Sequence, residues 1–290
     1  MRRKIKGDTG MMDTKLVRDF GRVCTDGWLQ GWHERNGGNL SYRMKEEEVE
    51  EIRDQLKEDG EWLDIGSSVP GLANEYFMVT GTGKYFKNVE RDFEDNVGII
   101  RINDDGTKYM IVYGLSDGGR PTSELPSHLM NLEVLKQRDK EMRIVYHCHP
   151  ANTVALTFVL PLSDEVFTRE IWEMITECPI VFPQGIGVVE WMVPGGREIG
   201  VKTAEIMKTK NIAVWAHHGV FACGRDFDEA FGLMHTVEKA AEILVKVMSM
   251  SDRKLNTIRP QDFRDLQEPY GVSLDEKYLY EKPSDKIGDK

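Results

Sequence analysis

Residues 143–150 read Arg-Ile-Val-Tyr-His-Cys-His-Pro. Ile144, Val145 and Tyr146 favour an extended, pleated chain, so residues 143–148 read as a strand that ends in His147-Cys148-His149-Pro150. Downstream, the pattern predicts short helices over 153–160 and 165–174 and a strand over 180–182. A helix over 197–208 and a strand over 212–215 follow, the strand ending at His217-His218-Gly219. A long helix over 226–250 carries Phe231, Met234, Val237, Ala241, Leu244 and Met248 on one face, a stripe that reads as core. Upstream, a helix within 121–137 has Pro126 near its first turn and Leu129, Leu132 and Leu135 along it. Two strands over 97–103 and 108–113 are joined through Asp104-Asp105-Gly106 as a hairpin, and a buried strand over 76–80 runs into Gly81-Thr82-Gly83-Lys84.

The charged stretch 44–60 has only Val49, Ile52 and Leu56 as an apolar stripe and reads as a solvated peripheral helix. A short strand over 39–43 precedes it. The first helix begins at Asp13 as its cap and runs through Leu16, Phe20, Val23, Gly27 and Trp28 to near Arg35, where Asn36-Gly37-Gly38 stops it. Strands and helices alternate without a regular βαβ rhythm. That favours an α/β fold with a central mixed, largely antiparallel sheet flanked by helices. The expected organisation is one domain over 13–250 with a C-terminal extension over 251–281. Residues 1–12 form a loose extension in which Met11 or Met12 is a possible start, and 282–290 a frayed tail.

The chain of 290 residues is 40% hydrophobic and 30% charged, enough apolar content for a sizeable core. With 38 Lys and Arg against 49 Asp and Glu, the formal charge of -11 disfavours a general nucleic-acid or anionic-membrane binder. No apolar run reaches the roughly 18 residues of a membrane-spanning helix. The basic start Met-Arg-Arg-Lys-Ile-Lys-Gly is followed by no apolar stretch of the signal-peptide kind, so a cytoplasmic protein is expected. Cys24, Cys148, Cys178 and Cys223 are scattered without Cys-x-x-Cys spacing, and are expected to be reduced.

On a strand, residues i and i+2 share a face, so His147 and His149 converge while Cys148 points away. Two imidazoles so placed suit Zn²⁺ or a similar divalent ion. A third ligand is available at another strand end, where His217 and His218 compete and alternation does not decide between them. Three histidines with one open position form a catalytic rather than a closed structural pattern. Asn36-Gly37-Gly38-Asn39, Gly81-Thr82-Gly83-Lys84 and Pro121-Thr122-Ser123-Glu124 each lie at the edge of a regular element. Their backbone N–H groups, amides and hydroxyls suit a phosphate. None of them has P-loop spacing. Among many acidic residues, Glu124 is singled out only by its position beside Thr122-Ser123 and upstream of the histidines. Glu177, between a helix and a strand, has no local distinction.

Taken together, several segments resemble the rhamnulose-1-phosphate aldolase family of the class II aldolase/adducin superfamily. They are residues 31–40 (Gly-Trp-His-Glu-Arg-Asn-Gly-Gly-Asn-Leu), Pro121-Thr122-Ser123-Glu124-Leu125-Pro126, His147-Cys148-His149, Phe167-Thr168-Arg169, Thr176-Glu177-Cys178, Trp191-Met192-Val193-Pro194-Gly195 and His218-Gly219-Val220-Phe221. They occur in order from about Leu16 to about Met250. The Trp-Met-Val-Pro-Gly and Phe-Thr-Arg segments point to this family within the superfamily.

The resemblance implies a three-layer α/β/α fold and a zinc-dependent lyase in L-rhamnose catabolism. Such a lyase splits L-rhamnulose 1-phosphate into dihydroxyacetone phosphate and L-lactaldehyde. It also implies a homotetramer with active sites at subunit interfaces. By resemblance the zinc ligands fall on His147, His149 and His218, which settles the choice against His217, and the catalytic glutamate falls on Glu124. A second glutamate, reaching in from a neighbouring subunit, falls on Glu177. The phosphate loops fall on Asn36, Gly38, Asn39, Thr82, Gly83, Thr122 and Ser123. Thr82 stands where the family has serine and keeps the hydroxyl; His217 replaces an aromatic residue beside the metal ligand. Retro-aldol cleavage needs a sink for the electrons left on the ketose fragment, which a Lewis-acid metal supplies, with Glu124 moving a proton at the adjacent carbon. A Schiff-base aldolase would need an activated lysine, for which Lys84 is the one candidate in a motif. The rival readings are another sugar-phosphate aldolase, epimerase or dehydratase on the same scaffold, a non-catalytic adducin-like module, and a structural zinc protein.

Overall fold

The structure, a computed structural model, describes residues 14–282. The loose start, the Asp13 cap and nearly all of the expected C-terminal tail lie outside the described residues. The described residues divide into two compact units, the first ending at Ser123 and the second beginning at Glu124.

In the first unit, helix α1 (Lys15–Leu29) is capped by Thr14, whose hydroxyl accepts a hydrogen bond from the Val17 N–H at 3.3 Å. It buries Val17, Phe20, Val23, Cys24 and Gly27, while Trp28 is exposed. It stops well short of Arg35 because Gly31 takes a φ of +79°, a left-handed conformation that ends helices. Strand β1 (Asn39–Arg43) follows. The charged stretch forms only the short helix α2 (Glu46–Ile52) and one further turn at Arg53–Gln55, burying Val49 and Ile52. Strands β2 (Leu63–Asp64) and β3 (Tyr76–Thr80), helix α3 (Phe93–Asn96), and strands β4 (Val97–Ile102) and β5 (Lys108–Gly114) complete the unit. Its strands lie in the order β2-β5-β4-β3-β1, each pair antiparallel.

The second unit opens with helix α4 (Leu125–Arg138), with Pro126 in its first turn and Leu129, Leu132 and Leu135 fully buried. It continues through strand β6 (Ile144–Cys148), helices α5 (Ala151–Leu156), α6 (Asp164–Trp172) and α7 (Cys178–Val181), strand β7 (Gly187–Val189) and helix α8 (Arg197–Met207). Strands β8 (Ile212–Trp215) and β9 (Gly219–Gly224) and helices α9 (Phe227–Met250) and α10 (Pro260–Tyr270) complete it. The strand order is β6-β9-β8-β7, antiparallel except for the parallel β7–β8 pair. The α/β class with mixed, largely antiparallel pairing is therefore as the sequence predicts.

Further elements differ from expectation. Residues 180–182 are not a strand. Pro179 starts the helical turn α7, and the strand lies further on, where Thr168 Oγ1 receives the Ile186 N–H (2.9 Å) and Asp164 Oδ1 the Val188 N–H (2.8 Å). Strand β9 was not foreseen, because a four-residue apolar run between two glycines shows no periodicity of its own. On α9 the buried face runs through Phe227, Ala230, Leu233, Met234, Val237, Ala241 and Leu244, whereas Phe231 is half-buried and Met248 exposed.

The Phe-Thr-Arg segment proves to be an anchor for the C-terminal extension. Arg169 is fully buried, donates to Glu173 Oε1 at 2.6 Å and to the Tyr280 carbonyl at 2.8 Å, and lies 5.2 Å over the Phe263 ring. Lys254 (2.6 Å) and Lys282 (2.9 Å) close on the same Glu173 carboxylate. Burial alone would raise the Glu173 carboxyl, but the Lys282 and Lys254 ammoniums outweigh it and hold the group below its ordinary 4.5. A carboxylate depressed in the folded state adds stability that is present above the unfolded value and lost as pH falls through the folded one. Glu173→Gln is therefore expected to lower the thermal midpoint at neutral pH. The gap to the parent should narrow once pH falls below 4.5. Melting curves at a series of pH values check this, and a gap constant down to strong acid would refute it.

Candidate active site

His147 is in β6 and His149 lies just beyond its end, so strand alternation sets both rings on one face. The adjoining strand β9 is turned back from β8 by the three residues Ala216-His217-His218, with Trp215 opposite Gly219. His217 takes a φ of +60°, the left-handed position such a short hairpin loop requires. The two neighbouring histidines then part. The His217 N–H donates to Thr157 Oγ1 at 3.1 Å, its Nδ1 lies 3.2 Å from the same oxygen, and its ring lies 4.2 Å from that of Phe158. His218 turns instead toward the strand pair, with its ring 5.0 Å from both His147 and His149. One nitrogen from each of His147, His149 and His218 lies within 4.8 Å of the others, a spacing able to hold a metal ion. Cys148 points away into the core, and burial, reinforced by the Glu238 carboxylate, keeps its thiol protonated.

The tautomer of His147 follows from its surroundings. Its Nδ1 lies 3.0 Å from the Val220 carbonyl, which can only accept, so Nδ1 carries the proton and Nε2 the lone pair. That Nε2 is buried and makes no hydrogen bond. Burial, followed by the neighbouring His149, His218 and His128, pushes the ring well below the ordinary histidine value and keeps it neutral, against a smaller opposing pull from the Val220 bond. Glu124 immediately precedes α4 and makes no side-chain capping bond. Its carboxylate turns to the histidines, with Oε2 3.5 Å from His147 Nε2 and Oε1 3.8 Å from His218 Nε2. A carboxylate facing the lone pair of a neutral imidazole repels it unless a cation sits nearby. The donor set therefore fits a divalent metal: three converging imidazole nitrogens, that of His147 a bare lone pair, with a carboxylate oxygen beside them.

Gly219 makes this convergence possible. A Cβ there would lie 2.5 Å from the Cys148 carbonyl and 2.8 Å from both the His147 and His149 rings. A glycine is required here by the close approach of its backbone to both rings. His128, fully buried in α4, has its ring 5.6 Å from Phe221 and is driven down to about 3 by burial, so it too is neutral. Glu177, at the start of α7, is exposed and stands outside the histidine cluster.

In the first unit the expected phosphate loops are drawn together around Thr80. Its Oγ1 accepts from the Leu40 N–H at 3.1 Å, beside Asn39, and its carbonyl accepts from the Thr122 N–H at 2.9 Å. The Thr82 N–H donates to the Arg120 carbonyl at 2.8 Å, and Gly81 forms an isolated bridge with Pro121. Gly38 and Gly83 take φ of +77° and +70°, Asn36, Thr82, Gly83 and Ser123 are exposed, and Asn39 and Thr122 are buried. Lys84 is ion-paired with Asp117, so the lysine considered for Schiff-base chemistry serves to tie two loops together.

Residues 18–245 match the family described as Class II Aldolase and Adducin N-terminal domain. The chain belongs to this class II aldolase family. A rhamnulose-1-phosphate aldolase of Mannheimia succiniciproducens is 47% identical over 91% of this chain and 97% of its own. One of Escherichia coli is 44% identical over 89% and 94%. The crystal structure of a sugar-phosphate aldolase from Thermotoga maritima superposes with a TM-score of 0.71 at 31% identity, covering 81% of this chain and 95% of that one. Among the described residues of this class II aldolase, no helix is long and apolar enough to cross a membrane.

Gly219→Ala tests the close approach. The added methyl must displace the strand or both rings, so bound divalent metal is expected to fall about tenfold or more in affinity while the far-ultraviolet circular dichroism stays native. Parent-like affinity in a chelator competition would show that the rings tolerate the methyl.

Proposed function

We propose that this protein cleaves L-rhamnulose 1-phosphate to dihydroxyacetone phosphate and L-lactaldehyde by a metal-dependent retro-aldol reaction. One observation carries the reading: the Glu124 carboxylate faces His147 and His218 within a cluster of three histidines. The substrate assignment is supported by relatives of that name at 47% and 44% identity over nearly their whole lengths.

His147, His149 and His218 would hold the ion, and zinc suits three imidazole ligands with a position left open. A bound divalent ion supplies Lewis-acid polarisation of the ketose carbonyl. The remaining chemistry falls to the chain. Breaking the C3–C4 bond leaves an electron pair on C3 while the C4 hydroxyl passes its proton to water and becomes the aldehyde carbonyl; Glu124 takes up a proton from water in exchange. Glu124 delivers a proton to C3, and withdraws it in the condensation direction. We assign Asn36, Gly38, Asn39, Thr82, Gly83, Thr122 and Ser123 to the substrate phosphate, which provides binding energy remote from the reacting bond. We further propose that Glu177 serves a neighbouring subunit's site in a cytoplasmic homotetramer, and that residues 13–250 act as one aldolase domain. Exposed Phe158, Val159, Trp191 and Val193 support self-association.

The deciding assay is dihydroxyacetone phosphate release from L-rhamnulose 1-phosphate and L-fuculose 1-phosphate side by side, with and without a chelator. Chelator-sensitive release from the first substrate is expected. Release mainly from the second would keep the chemistry and move the substrate, and release from neither by metal-loaded protein would overturn the proposal. Two variants separate the roles. His149→Ala should lose metal and turnover together. Glu124→Gln should keep metal and lose turnover by about 10²–10⁴-fold, the usual share of a proton-transferring group; a near-normal rate would remove Glu124 from the mechanism.

A further inference from the structure

Glu238 lies in α9, far along the chain from the histidines, and is almost completely buried. Its Oε1 accepts from the Asn152 N–H at 3.0 Å and from the Asn152 side-chain amide at 2.7 Å. Its Oε2 accepts from the Thr153 N–H at 2.9 Å and from the Thr153 hydroxyl at 2.7 Å. Four donors fill the roughly four lone-pair positions of a carboxylate. They fall on the first turn of α5, where the orphan N–H groups and the positive end of the helix favour an anion.

The first turn of α5 begins two residues after His149. The link between them is Pro150, which caps the helix at φ -69° and ψ 117° and whose carbonyl accepts the Val154 N–H at 3.0 Å. The ring fixes φ, so little freedom is left between the capped turn and the imidazole. The far end of the same helix is tied to the other arm of the cluster. The Thr157 hydroxyl donates to the Val154 carbonyl at 2.7 Å and accepts from the His217 N–H at 3.1 Å, one residue before His218. Helix α5 thus spans the two turns that carry His149 and His218, and Glu238 fixes it from the α9 side.

We propose that Glu238 is a positioning residue for the three-histidine cluster, acting through the first turn of α5 on His149. The proposal rests on the reading of that cluster as a metal site. A group that orients a ligand in this way typically changes metal affinity by about 10–100-fold when removed. Glu238→Gln keeps the shape but sets an amide NH2 against the backbone N–H of Asn152 or of Thr153, which can only donate. Thr153→Val removes a single bond and serves where Glu238→Gln does not fold.

The test uses Zn²⁺ alone, without sugar phosphate, in competition with a fluorescent chelator, alongside thermal melting and hydrogen exchange of the metal-free protein. Glu238→Gln is expected to weaken Zn²⁺ binding about tenfold or more, and Thr153→Val about threefold. The Asn152 and Thr153 amides should exchange faster while those of β6 do not. Turnover should recover toward the parent rate when Zn²⁺ is in excess. A merely structural role would lower the melting midpoint and leave the affinity of the folded protein unchanged, and that result overturns the proposal. Parent protein that binds no Zn²⁺ would instead remove the metal-site reading itself, and this inference with it.

Discussion

The site depends on one backbone contact, the antiparallel pairing of β6 with β9 that sets Cys148 opposite Val220 and His147 opposite Phe221. This register brings the Val220 carbonyl to His147 Nδ1 and so decides which ring nitrogen carries the proton. The same pairing brings the Gly219 backbone against both the His147 and His149 rings. A slip of one residue would turn every side chain of the strand to its opposite face. The geometry of the histidine cluster is therefore a property of the strand pair and its turn, rather than of three flexible side chains.

Around this pair the second unit handles buried charge in two ways. Glu238 is stabilised by four hydrogen-bond donors at a helix start. Glu173 is met by a guanidinium and two ammoniums that come from α6 and from the C-terminal extension. Removing one partner from a buried ion pair leaves the other uncompensated and typically costs about 3–5 kcal/mol, whereas the intact pair is worth far less. Such groups specify an arrangement more than they stabilise it. One fixes the turn that follows His149, and the other fixes where residues 254–282 lie against α6.

The parts legible in the sequence were those whose signal is local. His-x-His on a β-rich run, Pro126 at a helix start and the Asp-Asp-Gly hairpin each carry their geometry within a few residues, and each stands in the structure as read. Strand β9 was missed because its four apolar residues become a strand only through pairing with β6 and β8. The strand expected at 180–182 was lost to Pro179 and to hydrogen bonds that α6 offers further on. His217 and His218 could not be separated by counting, since the choice is made by a left-handed turn residue and a threonine sixty positions away. The Phe-Thr-Arg segment was legible as a resemblance, but not as the anchor of the C-terminal extension. That role depends on Tyr278 and Tyr280, more than a hundred residues on.

These constraints also bear on the choice between an enzyme and a module that keeps only the fold. A lone-pair nitrogen buried without a partner typically costs about 1–3 kcal/mol. His147 Nε2 is such an atom, and a carboxylate 3.5 Å away adds repulsion to the desolvation. Folding alone gains nothing from that arrangement; Leu or Phe would pack the same space without penalty. A structural metal would relieve the strain, but it calls for a closed set of four ligands, usually with thiolates. Here the nearest cysteine, Cys148, faces the other side of the strand, and the group that approaches the cluster is a carboxylate. A half-buried, locally unfavourable cluster with a carboxylate at its edge is what a metal-assisted carbon–carbon lyase needs, and it is difficult to account for in a protein that only binds a partner.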